Sequence, residues 1–313
     1  PFHDDHSPSM SVSREKQIYT CFVCGASGNA ITFLMNYEHL SFMEAINYLA
    51  NKAGIILDKD INYNEKKDIN DNGYEMYNIA TKYYQNNLNT TIGHKAKEYL
   101  TKRNINDDII KEFQIGLAKD EKDTLLKLLL AKGYKEKDLV NYGLVQNNDL
   151  NYYDVFINRI VFPIWNINGK VIGYSGRIYT DSNMAKYVNT KETNIFKKGL
   201  NLYNYHRAKD DIRKSKTLII MEGQMDVIRS YSVGIKNVIA LMGTSVTIEQ
   251  ANLIKKLAPN IIICFDGDNA GSKATMACGN ELLKLEITPR VIRLKENLDP
   301  DEYIIKYGKE SFE

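Results

Sequence analysis

The chain has 313 residues, 43% of them hydrophobic and 26% charged, with a formal net charge of only +2. That length suits two or three domains with a real core, and the near balance of charge excludes a globally basic nucleic-acid binder, so any such surface must come from local clustering. No run reaches the 18 apolar residues of a membrane helix, and four cysteines, two of them in a Cys-x-x-Cys, fit a reducing compartment and metal binding better than a disulfide framework.

In chain order, Cys21-Phe22-Val23-Cys24-Gly25 comes first, with the spacing of a metal knuckle. Two thiolates there can bind one ion, and Gly25 permits the tight turn behind them. The other use of such a pair, a redox dithiol, needs a βαβ unit; strand-like residues 17–22 precede the pair, but no such unit surrounds it. Residues 29–52 read as amphipathic helix, with Ile31, Phe33, Leu34, Phe42, Ala45, Ile46 and Leu49 at helical spacing. Within them, Ser41 and Glu44 form a capping box for a second helix. So small a ribbon buries little, and a metal would supply its folding energy. Residues 58–72 are polar and aromatic-poor, the composition of a flexible linker. A Tyr-rich helix follows over 75–88. Residues 158–164 and 170–177 read as two strands joined by a turn at Asn168-Gly169.

From Leu218 onward strands (217–221, 237–241, 260–265, 290–294) alternate with helices (224–233, 247–257, 270–285), and Thr247 with Gln250 makes a capping box. The first and third strands are apolar on both faces, as in a parallel sheet covered by helices. Acids stand at their ends: Glu222 and Asp226 after the first, Asp266 and Asp268 after the third. If the backbone stays extended, Asp266 and Asp268 point to one side, where two carboxylates repel unless a cation sits between them. Asp-Gly-Asp is also an ordinary turn; Glu222 at a neighbouring strand end tips the balance toward a metal site. Gly223, Gly243 and Gly267 beside the strand ends suit either close approach of a phosphate or tight turns.

These residues carry a family resemblance. Glu222-Gly223-Gln224-Met225-Asp226 and Asp266-Gly267-Asp268 resemble the two acidic motifs of the Toprim catalytic core. The rest resembles the bacterial DnaG-type DNA primases over nearly the whole chain. Leu241-Met242-Gly243-Thr244-Ser245 is similar to their Gly-Thr-Ser segment, and Leu298-Asp299-Pro300-Asp301 to their third acidic motif. Tyr99, Leu100 and Arg103, then Phe113, Gly116 and Leu117, resemble further segments, as do residues 186–189 and 195–199.

The resemblance implies an α/β fold: a Toprim-type doubly wound parallel sheet with a basic α+β subdomain and an amino-terminal zinc ribbon. Its divisions would be a ribbon at 1–57, a linker at 58–73, the basic subdomain at 74–213 and the Toprim subdomain at 214–313. It implies RNA-primer synthesis on single-stranded DNA from ribonucleoside triphosphates, by metal-dependent nucleotidyl transfer. Glu222, Asp266 and Asp268 would be catalytic, Asp266 and Asp268 as ligands of Mg²⁺ or Mn²⁺ and Glu222 either as a further ligand or as the general base. Asp226, Asp299 and Asp301 would complete the Mg²⁺ or Mn²⁺ cluster, with Asp226 supporting Glu222. Asp299-Pro300-Asp301 doubles as the cap of a helix over 302–307. Arg103, Arg159, Arg177, Lys186 and Lys198 match positions lining the template and nucleotide groove, although any one basic residue is more often a solvated surface charge.

His3, Cys21 and Cys24 match three ligands of a structural Zn²⁺, with the family's first cysteine falling just before Pro1; His6 or Asp4 is the alternative fourth ligand. The chain thus reads as part of a longer cytoplasmic replication-fork protein, whose carboxy-terminal domain would bind the replicative helicase. Competing readings are a Toprim nuclease or topoisomerase relative, a template-binding module with inert acids, and a primase–helicase of a phage or mobile element.

Overall fold

The computed structural model describes residues 2–3, 7–38, 40, 42–55, 70–148, 151–180, 183–243 and 245–312. The chain divides into two compact units, Pro1–Lys67 and Asp68–Glu313. The expected fourth-ligand alternatives His6 and Asp4, the Ser41 cap, most of the linker (58–69) and Thr244 lie outside the described residues.

The first unit is a three-stranded antiparallel ribbon, β1 (Met10–Ser13), β2 (Ile18–Cys21) and β3 (Ser27–Gly28), followed by α1 (Ala30–Tyr37) and α2 (Phe42–Ala53). The helical stretch expected over 29–52, with a second helix opening after Ser41, is these two helices. Asn29 caps the first, its side chain accepting from Thr32 N–H at 2.9 Å. Phe2, Tyr19, Phe33 and Tyr37 pack ring on ring, with Tyr19 and Phe33 centroids 5.2 Å apart. Among its described residues only Tyr19, Cys21, Ala45 and Ala50 are buried.

The second unit opens with α3 (Asp71–Leu88), α4 (His94–Lys102), α5 (Asp107–Glu112), β4 (Gly116–Ala118), α6 (Thr124–Ala131), α7 (Glu136–Asn141) and the hairpin β5 (Val145–Asn148) and β6 (Asn151–Asp154). The strand pair read from sequence is β7 (Arg159–Trp165) and β8 (Val171–Arg177), which with β9 (Tyr187–Asn189) forms an antiparallel sheet in the order β4-β7-β8-β9. Its turn is broader than Asn168-Gly169 alone: Asn166 Oδ1 accepts from the N–H groups of Asn168 and Lys170, and Gly169 takes the left-handed φ of +75°. Tyr-rich α3 lies against this sheet, and two of its hydroxyls are satisfied inside the core: Tyr77 donates to the Tyr142 carbonyl at 2.6 Å, and Thr81 shares a hydrogen bond of 2.7 Å with Tyr174 of β8, whereas the buried hydroxyls of Tyr83 and Tyr84 find no protein partner among the described residues.

Then come α8 (Tyr205–Ser215), β10 (Thr217–Met221), α9 (Gln224–Ser232), β11 (Val238–Ala240), α10 (Ile248–Leu257), β12 (Asn260–Ile263), α11 (Asn269–Leu283), β13 (Arg290–Val291), α12 (Pro300–Tyr307) and α13 (Lys309–Phe312). The four strands form an all-parallel sheet in the order β11-β10-β12-β13, with Ile220 opposite both Ile239 and Ile263. Alternation along β10 splits its side chains between two cores. Leu218 and Ile220 join Ile239, Ile261 and Ile263 on one face; Ile219 and Met221 join Val238 and Ala240 on the other. That second core also holds Leu100, Phe113, Ile160 and Trp165, so α4, the β4-β7-β8-β9 sheet and the parallel sheet share one hydrophobic layer. Strands read as 260–265 and 290–294 end earlier, at Ile263 and Val291. Among the described residues no helix is long and apolar enough to cross a membrane.

Candidate active site and metal knuckle

Three chain segments at the carboxyl ends of β10 and β12 build an acidic floor. Glu222 follows β10, and its Oε1 accepts from the Asp266 N–H at 3.3 Å, fastening the two strand ends together. Asp226 sits in the first turn of α9, and its Oδ2 accepts from Gly223 N–H at 3.2 Å; it caps that helix rather than bracing Glu222 as expected. Asp299 caps α12, accepting from Glu302 N–H at 2.7 Å, with Pro300 at the first helical position. The expected helix 302–307 thus begins two residues earlier.

Burial raises the proton affinity of Glu222, Asp299 and, most strongly, Asp226, the last also through Asp266, Asp299 and Asp301. Asp266 is pushed up to about 7 by burial first, then by the negative charges of Glu222, Asp299 and Asp268. Such a cluster is short of positive charge, as a cation site is before it is filled. The carboxylates do not converge as tightly as the knuckle below: among the described residues only His3, Cys21 and Cys24 bring three ligand atoms within 4.8 Å of one another.

Asp268 does not extend a strand beside Asp266. It is the exposed cap of α11, its Oδ1 accepting from Gly271 N–H at 2.7 Å. Two glycines explain how the loop closes. A Cβ on Gly267 would stand 2.9 Å from the Leu298 carbonyl oxygen, and one on Gly271 would overlap the Asp266 carbonyl at 2.1 Å. The close neighbour of Gly267 is therefore the acidic loop at Asn297 and Leu298, whose carbonyl also accepts from Gly267 N–H at 2.9 Å. Asp-Gly-Asp is both a turn and part of the acid site.

A cavity of about 630 Å³ lies over this floor. Glu222, Asp226, Asp266, Asp299 and Asp301 line it, opposite Lys102, Arg103, Arg177 and Lys186. Arg177 donates to the Tyr187 hydroxyl, and its guanidinium lies 5.1 Å from the Tyr187 ring centre and 5.6 Å from that of Tyr99. Burial raises the Tyr187 hydroxyl to about 12 despite Arg177. Lys198 lies beside Gly243 and lines a smaller neighbouring cavity of about 220 Å³. Arg159 departs from its expected place. It is 5% exposed, is not among the lining residues, and donates to the carbonyls of Gly176, Ala185 and Lys186, so it braces the segment that carries Lys186. Asp301 also departs: it is 3% exposed and ion-paired to two arginines, Arg103 at 3.1 Å and Arg229 at 2.7 Å.

Arg229 was not legible as a site residue, though one signal existed. α9 is buried from Gln224 through Ser230, so its polar side chains must find partners. Gln224 donates to Ser175 Oγ at 2.9 Å, Asp226 caps Gly223, and Arg229 holds Asp301.

In the ribbon, Cys21 Sγ lies 3.7 Å from His3 Nδ1 and 3.4 Å from Ser9 Oγ. The knuckle turn is closed by Gly25 N–H donating to the Cys21 carbonyl at 3.0 Å, with Gly25 at φ +72°. Hydrogen bonds from the Cys24 backbone, then from Ser9, lower the Cys21 thiol to about 6, so the thiolate a metal requires is already favoured. The residues present fit a metal in the ribbon, and the acids fit a hard divalent cation in the cavity.

Comparison with known proteins agrees along the whole chain. A family model for the CHC2 zinc finger matches residues 1–65, one for the DNA primase catalytic core, N-terminal domain, matches 83–209, and a Toprim-like model matches 219–304. The DNA primase of Clostridium acetobutylicum is 43% identical over 315 residues, covering 100% of this chain and 52% of the relative; that of Staphylococcus aureus strain MW2 is 41% identical over 319, covering 100% and 53%. The chain thus spans about half the length of the curated relatives it matches. Among solved structures, the zinc-binding and RNA polymerase domains of the Aquifex aeolicus primase superpose with a TM-score of 0.72 at 36% identity, covering 100% of this chain and 75% of that one. A DnaG primase catalytic domain bound to ssDNA gives 0.71 at 34% identity, covering 77% and 76%.

Proposed function

This chain belongs to the bacterial DnaG-type DNA primases, and on that footing we propose that it is the template-binding and nucleotidyl-transferring part of a primase that makes short RNA primers on single-stranded DNA. One observation carries the reading: a single cavity sets acids of raised proton affinity against Lys102, Arg103, Arg177 and Lys186. A cation-seeking floor beside an anion-seeking wall suits a nucleoside triphosphate with its divalent ion.

Glu222, Asp266 and Asp268 would hold Mg²⁺ or Mn²⁺, with Asp226 and Asp299 completing the negative field, and the ion so held would supply a lowered pKa for the attacking hydroxyl and charge neutralisation on the triphosphate. The 3′-hydroxyl attacks the α-phosphorus, its bond to pyrophosphate breaks, and the hydroxyl proton leaves. Glu222, half-buried with raised proton affinity, is suited to receive that proton. Arg103, Arg177, Lys186 and neighbouring Lys198 grip phosphates without reading bases, so binding weakens steeply with salt. In the ribbon, His3, Cys21 and Cys24 hold Zn²⁺ with a fourth ligand, and that module meets the template. We assign 1–57 to the ribbon, 58–73 to a linker, 74–213 to the basic subdomain and 214–313 to the Toprim subdomain. In the longer protein a carboxy-terminal domain meets the replicative helicase.

The test is incorporation of labelled ribonucleotides on single-stranded DNA by the intact protein and by its Asp266→Ala, Asp268→Ala variant. Short RNA that falls by about two to three orders of magnitude in the variant supports both the reaction and the metal pair. RNA that persists overturns the metal assignment. Metal-dependent cutting of the DNA without synthesis makes the chain a Toprim nuclease instead.

A further inference from the structure

We propose that Arg229 is a positioning residue: through Asp301 it sets Arg103 in the groove for a phosphate of the polynucleotide, and Asp301 serves that arrangement rather than the divalent cation. The proposal rests on the reading of Arg103 as a phosphate contact.

Four observations carry it. Arg229 is 5% exposed, and all its contacts point one way: Nε donates to Asp301 Oδ1 at 2.7 Å, one terminal nitrogen to the Asn104 carbonyl at 3.2 Å, and the other to the Arg103 carbonyl. Those two carbonyls lie at the carboxyl end of α4, where helical carbonyls lack partners, and Asn104 takes a left-handed φ of +51° there. The guanidinium thus fixes the backbone from which the Arg103 side chain springs. Asp301 then fixes the side chain itself, its other oxygen accepting from Arg103 at 3.1 Å. Finally, Arg103 is 35% exposed on the cavity wall with its guanidinium 5.5 Å from the Tyr99 ring centre, whereas Asp301 and Arg229 are enclosed.

The charges show why two arginines are needed. One carboxylate between two guanidinium groups leaves a net positive charge, and the exposed member of the trio is Arg103. With Asp301 neutralised from inside by Arg229, Arg103 keeps its positive charge to offer a phosphate while Asp301 still holds its guanidinium. Arg229 also spans two carbonyls and a carboxylate at once, which the planar fork of arginine allows and a lysine does not.

The experiment is fluorescence anisotropy of this chain with a labelled oligo-dT, titrated over a range of salt, for Arg103→Ala, Arg229→Met, Asp301→Asn and the Arg103→Ala pairs with each of the other two. Loss of one phosphate contact on a single strand removes about 0.7 from the salt slope, which is about eight-fold in affinity at about 50 mM salt and about three-fold at about 200 mM. Arg103→Ala shows that loss. Arg229→Met and Asp301→Asn are expected to reproduce it, and neither pair to exceed it. Asp301→Asn gives the sharpest reading. It removes a negative charge from the groove, so electrostatics alone would tighten binding to a polyanion, whereas loss of positioning weakens it. It is also nearly isosteric, and so answers the question should Arg229→Met not fold. Tightening in Asp301→Asn, unchanged binding in Arg229→Met, or losses that multiply with Arg103→Ala would each overturn the proposal. Unchanged binding in Arg103→Ala alone would instead remove the phosphate-contact reading, and the proposal with it.

Discussion

The ribbon unit and the parallel-sheet unit solve the same problem, holding reactive side chains still, by opposite means. In the ribbon the described residues bury little: beside four packed aromatic rings, of which only Tyr19 is enclosed, the buried side chains are Cys21, Ala45 and Ala50, and Phe22 and Val23 of the knuckle are 78% and 66% exposed. The sheet unit carries two apolar layers, one on each face of β10, and its acids stand on the ends of strands clamped between them. Where burial is scarce, a metal supplies folding energy as well as chemistry. Where burial is plentiful, the core can support a charge-poor acidic cavity that raises the proton affinity of its own carboxylates.

The largest effect that would break this comparison is metal removal. Chelation, or Cys21→Ser, is expected to abolish amide-exchange protection in β1 and β2, since metal binding in small ribbons supplies on the order of 10 kcal/mol of folding free energy. The melting of the sheet unit should stay where it was; if it falls as well, the two units do not fold independently. Next is Ile220→Ala. Ile220 is fully buried between strands, and its truncation should cost about 2–5 kcal/mol in denaturant titrations of the sheet unit, with no change in ribbon exchange. A smaller loss, about 1 kcal/mol, is expected for Thr247→Ala, which removes the cap of α10 together with the hydrogen bond from Thr247 Oγ1 to the Gly199 carbonyl. By contrast, Val12→Ser on the 63% exposed ribbon surface should stay within about 0.5 kcal/mol.

The last prediction concerns pH, and it separates the two regions by sign. Asp266 rises from 3.8 to about 7 in the folded chain, so between those values the folded state keeps a proton that the unfolded state has lost. Stability of the metal-free sheet unit should therefore fall as pH climbs through that window. Mg²⁺ or Mn²⁺ should raise its melting temperature more at pH 8 than at pH 5, and Asp266→Asn should flatten both trends. The Cys21 thiol is displaced the other way, down to about 6, so metal capture by the ribbon should persist to lower pH than an ordinary cysteine permits.

Much of this was legible in one dimension. Alternation and β-branching placed β10, β12 and the β7–β8 pair within a residue or two, and Thr247-x-x-Gln250 announced its helix, because these signals act over a few residues. α2 opens at Phe42, directly after the Ser41 read as the cap of a second helix, whereas apolar spacing alone runs on across the break from α1.

What the sequence by itself determined is the inventory: a metal knuckle, a doubly wound sheet, and acids at strand ends. What only the tertiary structure decided is the company each charge keeps. Asp301 looked like one more acid of the cluster, yet it meets Arg229 and Arg103, 72 and 198 residues away along the chain. Arg159 looked like one more groove cation, yet it is enclosed by carbonyls 17 to 27 residues on. The reason is physical. The strength of a charge, and even its protonation, depends on desolvation and on neighbours within a few ångströms, and both arise only when distant segments pack.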